Sequence, residues 1–181
     1  MSYVFLAEGF EEIEALAPVD CLRRAGKTVQ TVGVGGQVIK GAHGISVEAD
    51  ITANQIELDA KLEMIVLPGG MPGTLNLGKS EIVTHAIEYC VSEKRWIAAI
   101  CAAPTILGKM GLLKGRKVTC YPGMEADLKG ASYTHRSVVA DGKLITAKGP
   151  GAAMDFSLRL VEAVLSRDVA KTLAGKMVYS G

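Results

Sequence analysis

Aromatic residues make up only 5% of this 181-residue sequence. A domain-sized core must therefore be built from aliphatic side chains, and 49% hydrophobic residues are enough to build it. A charge surplus is also missing, since 20 Lys plus Arg against 19 Asp plus Glu leave a formal charge of +1. No run of like charge is long enough to steer nucleic acid or an anionic membrane, so neither is an expected partner. No apolar run approaches the roughly 18 residues of a membrane span, and the start, MSYVFLAEGFEEIE, has no basic segment. The expectation is a soluble, cytoplasmic chain read as one domain over residues 1–181. Metal-ligand spacing is absent among Cys21, Cys90, Cys101 and Cys120, which read as free thiols, and no metal is expected. Nucleotide loops are missing too. GFEEIE after the first strand lacks the Gly-x-Gly-x-x-Gly pattern, Val38 stands where Gly33-Val-Gly35-Gly36 needs its last glycine, and Gly69-Gly70-Met-Pro-Gly73 lacks the Lys-Ser/Thr of a P-loop. No cofactor is expected.

What is present alternates. Tyr3 to Ala7, Thr28 to Val34, Met64 to Leu67 and Ile97 to Ile100 are apolar runs suited to parallel strands covered on both faces. Helices are predicted over Glu11 to Ala25, with Ile13, Leu16, Ala17, Cys21 and Leu22 inward and a kink at Pro18, and over Glu81 to Glu93. Ala152 to Ser166 is a long helix and Val169 to Met177 a short one. Val38 to Lys40 and Ile45 to Ala49 form a small hairpin at or beyond a sheet edge. Lys117 to Cys120 is a short strand, and Ser137 to Ala140 with Leu144 to Thr146 a hairpin across Asp141-Gly142. The fold class is α/β, a doubly wound, mostly parallel sheet with helices on both faces. Ligands in such folds sit beyond the carboxyl ends of the strands. Glu8 to Glu14, Pro68 to Gly73, Cys101 to Ala103 and Gly149 to Gly151 all lie at those ends.

The chemistry centres on Trp96 to Met110, WIAAICAAPTILGKM. An apolar strand runs into a helix opened by Pro104, with Cys101 at the join between the small residues Ala99 and Ala103. That is the shape of a nucleophile elbow. The helix's positive end is expected to lower the thiol's pKa. Backbone N–H groups of the glycine loop at residues 69–70 can hold an oxyanion beside it. Of Glu11, Glu12 and Glu14, two are explained as helix-start charges, and Glu14 falls beside the buried stripe. To help a thiolate it must be protonated and donate a hydrogen bond. A cysteine nucleophile usually has an imidazole as base. His85 reads as a surface residue, His135 as part of a polar loop, and His43 as the tip of the first hairpin.

AAICAAP at the elbow, LPGG upstream, EGFEEIEA after the first strand and KGPGAAMDF near the end resemble the ThiJ/PfpI family. Within it they are most similar to the branch of Parkinson disease protein 7 and its bacterial relatives. The resemblance covers nearly the whole chain. It implies a flavodoxin-like, class I glutamine amidotransferase-like fold and a homodimer with the first helix near the interface. It also implies a protonated Glu14 against Cys101, with Gly69, Gly70 and Ala102 supplying N–H groups and Gly149-Pro150 lining the cleft. Two departures matter. Where a human member of the branch carries histidine near the thiol, this chain reads Thr119-Cys120-Tyr121-Pro122, leaving the phenol of Tyr121. Where that member has an arginine in the hairpin, this chain has His43, which we expect to reach the partner subunit's site and supply the missing imidazole. Ala102 stands where the protease branch carries histidine, which disfavours an amidase or peptidase.

The resemblance implies a cofactor-free thiol enzyme for small reactive carbonyls such as methylglyoxal, of the glyoxalase III or deglycase kind. The alternative is a redox sensor or stress-response protein in which Cys101 is oxidised to a sulfinate.

Overall fold

The computed structural model describes residues 1–180. In chain order they form β1 (Ser2–Ala7), α1 (Glu12–Arg24), β2 (Val29–Val34), a hairpin of β3 (Val38–Lys40) and β4 (Ser46–Glu48), and β5 (Ile51–Thr52). There follow β6 (Met64–Leu67), α2 (Gly73–Lys79), α3 (Glu81–Ser92), β7 (Trp96–Ile100) and α4 (Pro104–Lys109). The chain continues through β8 (Lys117–Val118), β9 (Ser132–Tyr133), a hairpin of β10 (Val138–Asp141) and β11 (Leu144–Ala147), α5 (Ala153–Val164) and α6 (Arg167–Lys176).

Seven strands make one sheet in the order β10-β11-β7-β6-β1-β2-β5. Every pairing is parallel except β10 with β11. The doubly wound α/β expectation is met. Alternation along the strands divides the core: Tyr3, Phe5 and Ala7 of β1 face one side, Val4 and Leu6 the other. On the first side lie Leu77 of α2, Val83 and Ile87 of α3, and Ile106 of α4. The second side takes Ala15 and Leu22 of α1, Phe156 and Leu160 of α5, and Leu173 of α6. From β1 the chain builds outward through β2 in one direction and, from β6, through β7 in the other. The strand order therefore reverses between β1 and β6, and folds of this kind hold their ligands beyond the carboxyl ends of the strands at that point.

The structure changes several boundaries and one face. The buried stripe of α1 is Ala15, Pro18, Val19 and Leu22, while Ile13 and Leu16 are exposed. That stripe has i, i+3, i+4, i+7 spacing and turns Glu14 inward with it. The helix runs through Pro18 without interruption. Strand β2 begins at Val29 instead of Thr28, and β8 stops at Val118. It pairs with β9 in a separate two-stranded sheet. β5, β9 and α2 are additions to the expected elements. The first two contain only two residues each, too few for a visible period, and α2 buries just Gly73, Thr74 and Leu77. The hairpin β3–β4 likewise forms its own sheet. All four cysteines are free and buried.

Candidate active site

Cys101 follows the last residue of β7 with φ of 64°, left-handed backbone that a side chain rarely adopts. The turn is held from both sides. The Cys101 N–H donates to the Ala147 carbonyl of β11 at 2.8 Å, and its own carbonyl accepts the Tyr121 N–H at 2.8 Å. Pro104 then opens α4, where its missing N–H costs nothing. The result is a sharp strand-to-helix elbow that sets Cys101, 8% exposed, at the carboxyl end of β7. Strain at this one residue is sustained because the sheet and the Tyr121 segment leave the backbone no alternative.

The first loop brings the carboxylates. Glu11 is the N-cap of α1, its Oε2 accepting the Glu14 N–H at 2.8 Å, while its own N–H donates to the Gly69 carbonyl at 3.0 Å. One turn into the helix, Glu14 is fully buried. Its Oε2 accepts the Gly69 N–H at 2.8 Å, and a Cβ built on Gly69 would stand 2.6 Å from both this oxygen and the Cys101 Cβ, so the carboxyl lies beside the thiol's side chain. Among the described residues Oε1 has no hydrogen-bond partner. Burial, with the nearby Glu11 charge, pushes the Glu14 carboxyl up from 4.5 to about 7, against the lowering by the neighbouring Cys101 thiol and the Gly69 hydrogen bond. It is thus poised to be protonated near neutral pH, the state a carboxyl needs if it is to donate to a thiolate.

Gly69 has no room for a side chain, because a Cβ there would stand 2.6 Å from the Cys101 Cβ and 2.6 Å from Glu14 Oε2. Gly70 has φ of 88°, and its N–H and that of Ala102 point at the Cys101 sulfur. Burial and the Glu14 carboxylate push the thiol up to about 12, while those two N–H groups pull it down. The expected lowering by the helix end is therefore outweighed. The six residues of α4 supply a short dipole, and desolvation of a buried sulfur is the larger effect. Protonating Glu14 removes the repulsion and turns the carboxyl from a competitor of the thiolate into its donor.

Tyr121, 46% exposed, lies beside Gly149, where a Cβ would meet its ring at 3.3 Å. Pro150 opens the short turn Pro150–Ala152 that leads into α5. The four strand-end stretches picked out in the sequence thus converge through hydrogen bonds and contacts.

His43 is placed elsewhere within its own chain. Its N–H donates to Glu12 Oε1 at 2.8 Å, and its Nδ1 lies 2.9 Å from Glu12 Oε2. The ring is 70% exposed, and the carboxylate raises its pKa. Glu11 and Glu12, read as helix-start charges, are buried and engaged, Glu11 as the cap of α1 and Glu12 also as the anchor of the hairpin. A pairing of residues 12 and 43 leaves no signal in local sequence. Glu11, Glu12 and His43 place possible ligand atoms within 4.8 Å of one another, but protein donors already occupy the Glu12 oxygens. His135 stacks edge-on against Tyr133 at 5.0 Å, and His85 is an exposed residue of α3. No helix among the described residues is long and apolar enough to cross a membrane.

Comparison with known proteins agrees with this architecture. The chain is 38% identical over 174 residues to protein dj-1beta of Drosophila melanogaster, covering 94% of this chain and 92% of that one. It is 32% identical over 159 residues to the glutathione-independent glyoxalase DJR-1.2 of Caenorhabditis elegans, covering 87% and 84%. A solved structure of oxidized DJ-1 from Toxoplasma gondii superposes with a TM-score of 0.94 at 31% identity, covering 99% of this chain and 98% of that one. The model of the DJ-1/PfpI family matches residues 2–163. With its elbow cysteine, buried glutamate and parallel sheet in place, the chain belongs to the DJ-1/PfpI family.

Proposed function

We propose that this protein is a cofactor-free cysteine enzyme that converts small reactive dicarbonyls such as methylglyoxal to the hydroxy acid. The observation that carries the reading is the buried Glu14 carboxyl, set beside the Cys101 side chain across Gly69 and pushed up to about 7. Such a group can be an acid in one step and a base in the next. The reactive form is the pair with one proton, on Glu14, and a thiolate on Cys101. The sulfur attacks the aldehyde carbon, a C–S bond forms, and the carbonyl oxygen takes the Glu14 proton, giving a hemithioacetal. The Gly70 and Ala102 N–H groups steady the charge on that oxygen as it develops. Glu14, now a carboxylate, takes the hydrogen on the former aldehyde carbon as a proton and passes it to the ketone oxygen, giving an enediol, and the proton of the first hydroxyl then moves by way of Glu14 to the second carbon. The first carbon is oxidised and the second reduced, leaving a lactoyl thioester. Water cleaves the C–S bond, lactate leaves, and the thiol is restored.

The C. elegans relative's name supports this chemistry class. Lactate formation from methylglyoxal by the wild type, lost in Cys101→Ala, is the required result, and activity persisting in that variant sinks the reading. An amidase or peptidase fits less well, since the described contacts of Cys101 include no imidazole of its own chain.

A second reading rests on the same sulfur. N–H groups aimed at Sγ can also hold the oxygens of a sulfinate, and the T. gondii relative was solved in an oxidized state. Intact mass after mild peroxide, with a gain of two oxygens confined to Cys101, is its test.

We further propose a homodimer that joins the exposed Ile13 and Leu16 of α1 and brings His43 to the partner subunit's site. In its support, Val38 and Ile45 of the neighbouring hairpin are also exposed apolar residues.

A further inference from the structure

Several concavities lie away from Cys101, and the two with the most ionisable side chains in their lining differ in character. The larger of the two, about 810 Å³, sets Lys117, Arg136, Arg159, Arg167 and Lys171 against Asp155 and Glu162, with Arg159 and Glu162 paired at 2.7 Å, so both signs of charge share its lining. The other, about 420 Å³, is of a different kind. It opens at the amino ends of β7 and β11, lined by Ile97 and Leu144, at the end of β7 opposite Cys101. Ile97 and Cys101 are separated by four steps of strand, about 13 Å.

Its floor is apolar, made by Cys90 of α3, Ile97, Leu107 of α4, Leu113 and Leu144. The Cys90 thiol stays neutral, because burial pushes it up to about 12. Every ionisable side chain around this floor other than Cys90 is a cation: Lys94, Arg95, Arg116 and Lys143. Among the described residues, Lys94, Arg95 and Lys143 pair with no carboxylate, and Arg116 reaches Asp141 only at 3.4 Å. Arg95 Nε is buried with no hydrogen-bond partner. Nε itself is sealed from the cavity, but with no carboxylate paired to it the Arg95 guanidinium leaves its positive charge uncompensated by the chain. Lys143 Nζ lies 4.4 Å from the centre of the Trp96 ring, the protein's single tryptophan.

An apolar floor of this size beneath clustered cations matches one ligand chemistry. We propose that the cavity binds a small amphipathic carboxylate, an alkyl or aryl acid whose tail lies on the Ile97, Leu107 and Leu113 floor and whose carboxylate sits among Arg95, Arg116 and Lys143. The site is independent of the thiol chemistry.

Decanoate, kept below its micelle concentration, is the probe, with decyltrimethylammonium as the same tail carrying the opposite charge. Calorimetric titration of the full chain should show decanoate binding and at least tenfold weaker binding of the cation. Trp96 emission should change with decanoate as Lys143 leaves the ring. Arg95→Gln should weaken decanoate at least tenfold and Arg95→Lys should restore most of that loss, whereas a purely packing role for Arg95 predicts no such rescue. Val91→Phe, at an exposed position of the rim, should block entry. Cys101→Ala should bind decanoate as the wild type does, which separates this site from the proposed catalysis. Equal binding of the two amphiphiles, no decanoate binding, or unchanged affinity in a folded Arg95→Gln overturns the proposal.

Discussion

A Cβ placed on Gly69 would stand 2.6 Å from the Cβ of Cys101. The backbone of the β6 loop therefore touches the nucleophile's own side chain, and glycine is required there for contact, not for torsional freedom. Gly69→Ala should lower stability by about 1–3 kcal/mol, since the elbow and Glu14 must both give way. Thermal melting reads the stability change, and lactate production should fall with it. A variant with wild-type melting and activity would show that the loop is not packed against the thiol as described.

Glu14 makes stability depend on pH in a defined direction. Its carboxyl is raised from 4.5 to about 7 in the folded chain, so between those values the native state holds a proton that the unfolded state has released. The contribution is fully present below pH 4.5 and is lost as pH rises through about 7, with a total of roughly 3 kcal/mol at 1.36 kcal/mol per unit. Glu14→Gln removes the ionisation and can keep the acceptor for the Gly69 N–H. In denaturant titrations it should be more stable than wild type at pH 8, with the gap closing by pH 5. A constant gap across that range contradicts the assignment.

Reactivity follows the pair and not the thiol alone. The first proton leaves Glu14 and Cys101 near pH 7, and the one-proton pair includes the form with a thiolate beside a protonated carboxyl. Alkylation of Cys101 by iodoacetamide should therefore rise through an inflection near pH 7, well below the thiol's own value of about 12. In Glu14→Gln that inflection should vanish. Its persistence would mean that another group controls the sulfur.

The role proposed for His43 rests on a second subunit. Ile13→Glu, on the exposed face of α1, should shift the protein toward monomer in sedimentation experiments. His43→Ala should alter the titration and reactivity of Cys101 in the dimer. If both remain unchanged, the partner imidazole has no part in the chemistry.

Much of this molecule was legible before any coordinates. Continuous apolar runs marked β1, β6 and β7 because strands covered on both faces need no alternation. Cys101 was legible because small neighbours and a following proline mark a strand-to-helix elbow. Short elements such as β5 and β9 were not, since two residues contain no period. Of the inward residues expected in α1, Cys21 and Leu22 are buried and Ile13 and Leu16 are not: the latter pair satisfies a helical stripe as well as Ala15 and Val19 do, and only packing against α5 separates them.

The residue types, the order of the strands along the chain and the identity of the nucleophile are local properties, and the sequence by itself determined them. The tertiary structure decided which groups the nucleophile meets. Glu14, Gly69, Cys101 and Ala147 are far apart in the chain and come together because β1, β6, β7 and β11 lie side by side in the sheet with their carboxyl ends at one edge. Burial at that junction raises the Glu14 carboxyl, outweighs the helix end at the thiol and sets Glu12 against His43. Desolvation depends on everything packed around a group, and so it belongs to the fold.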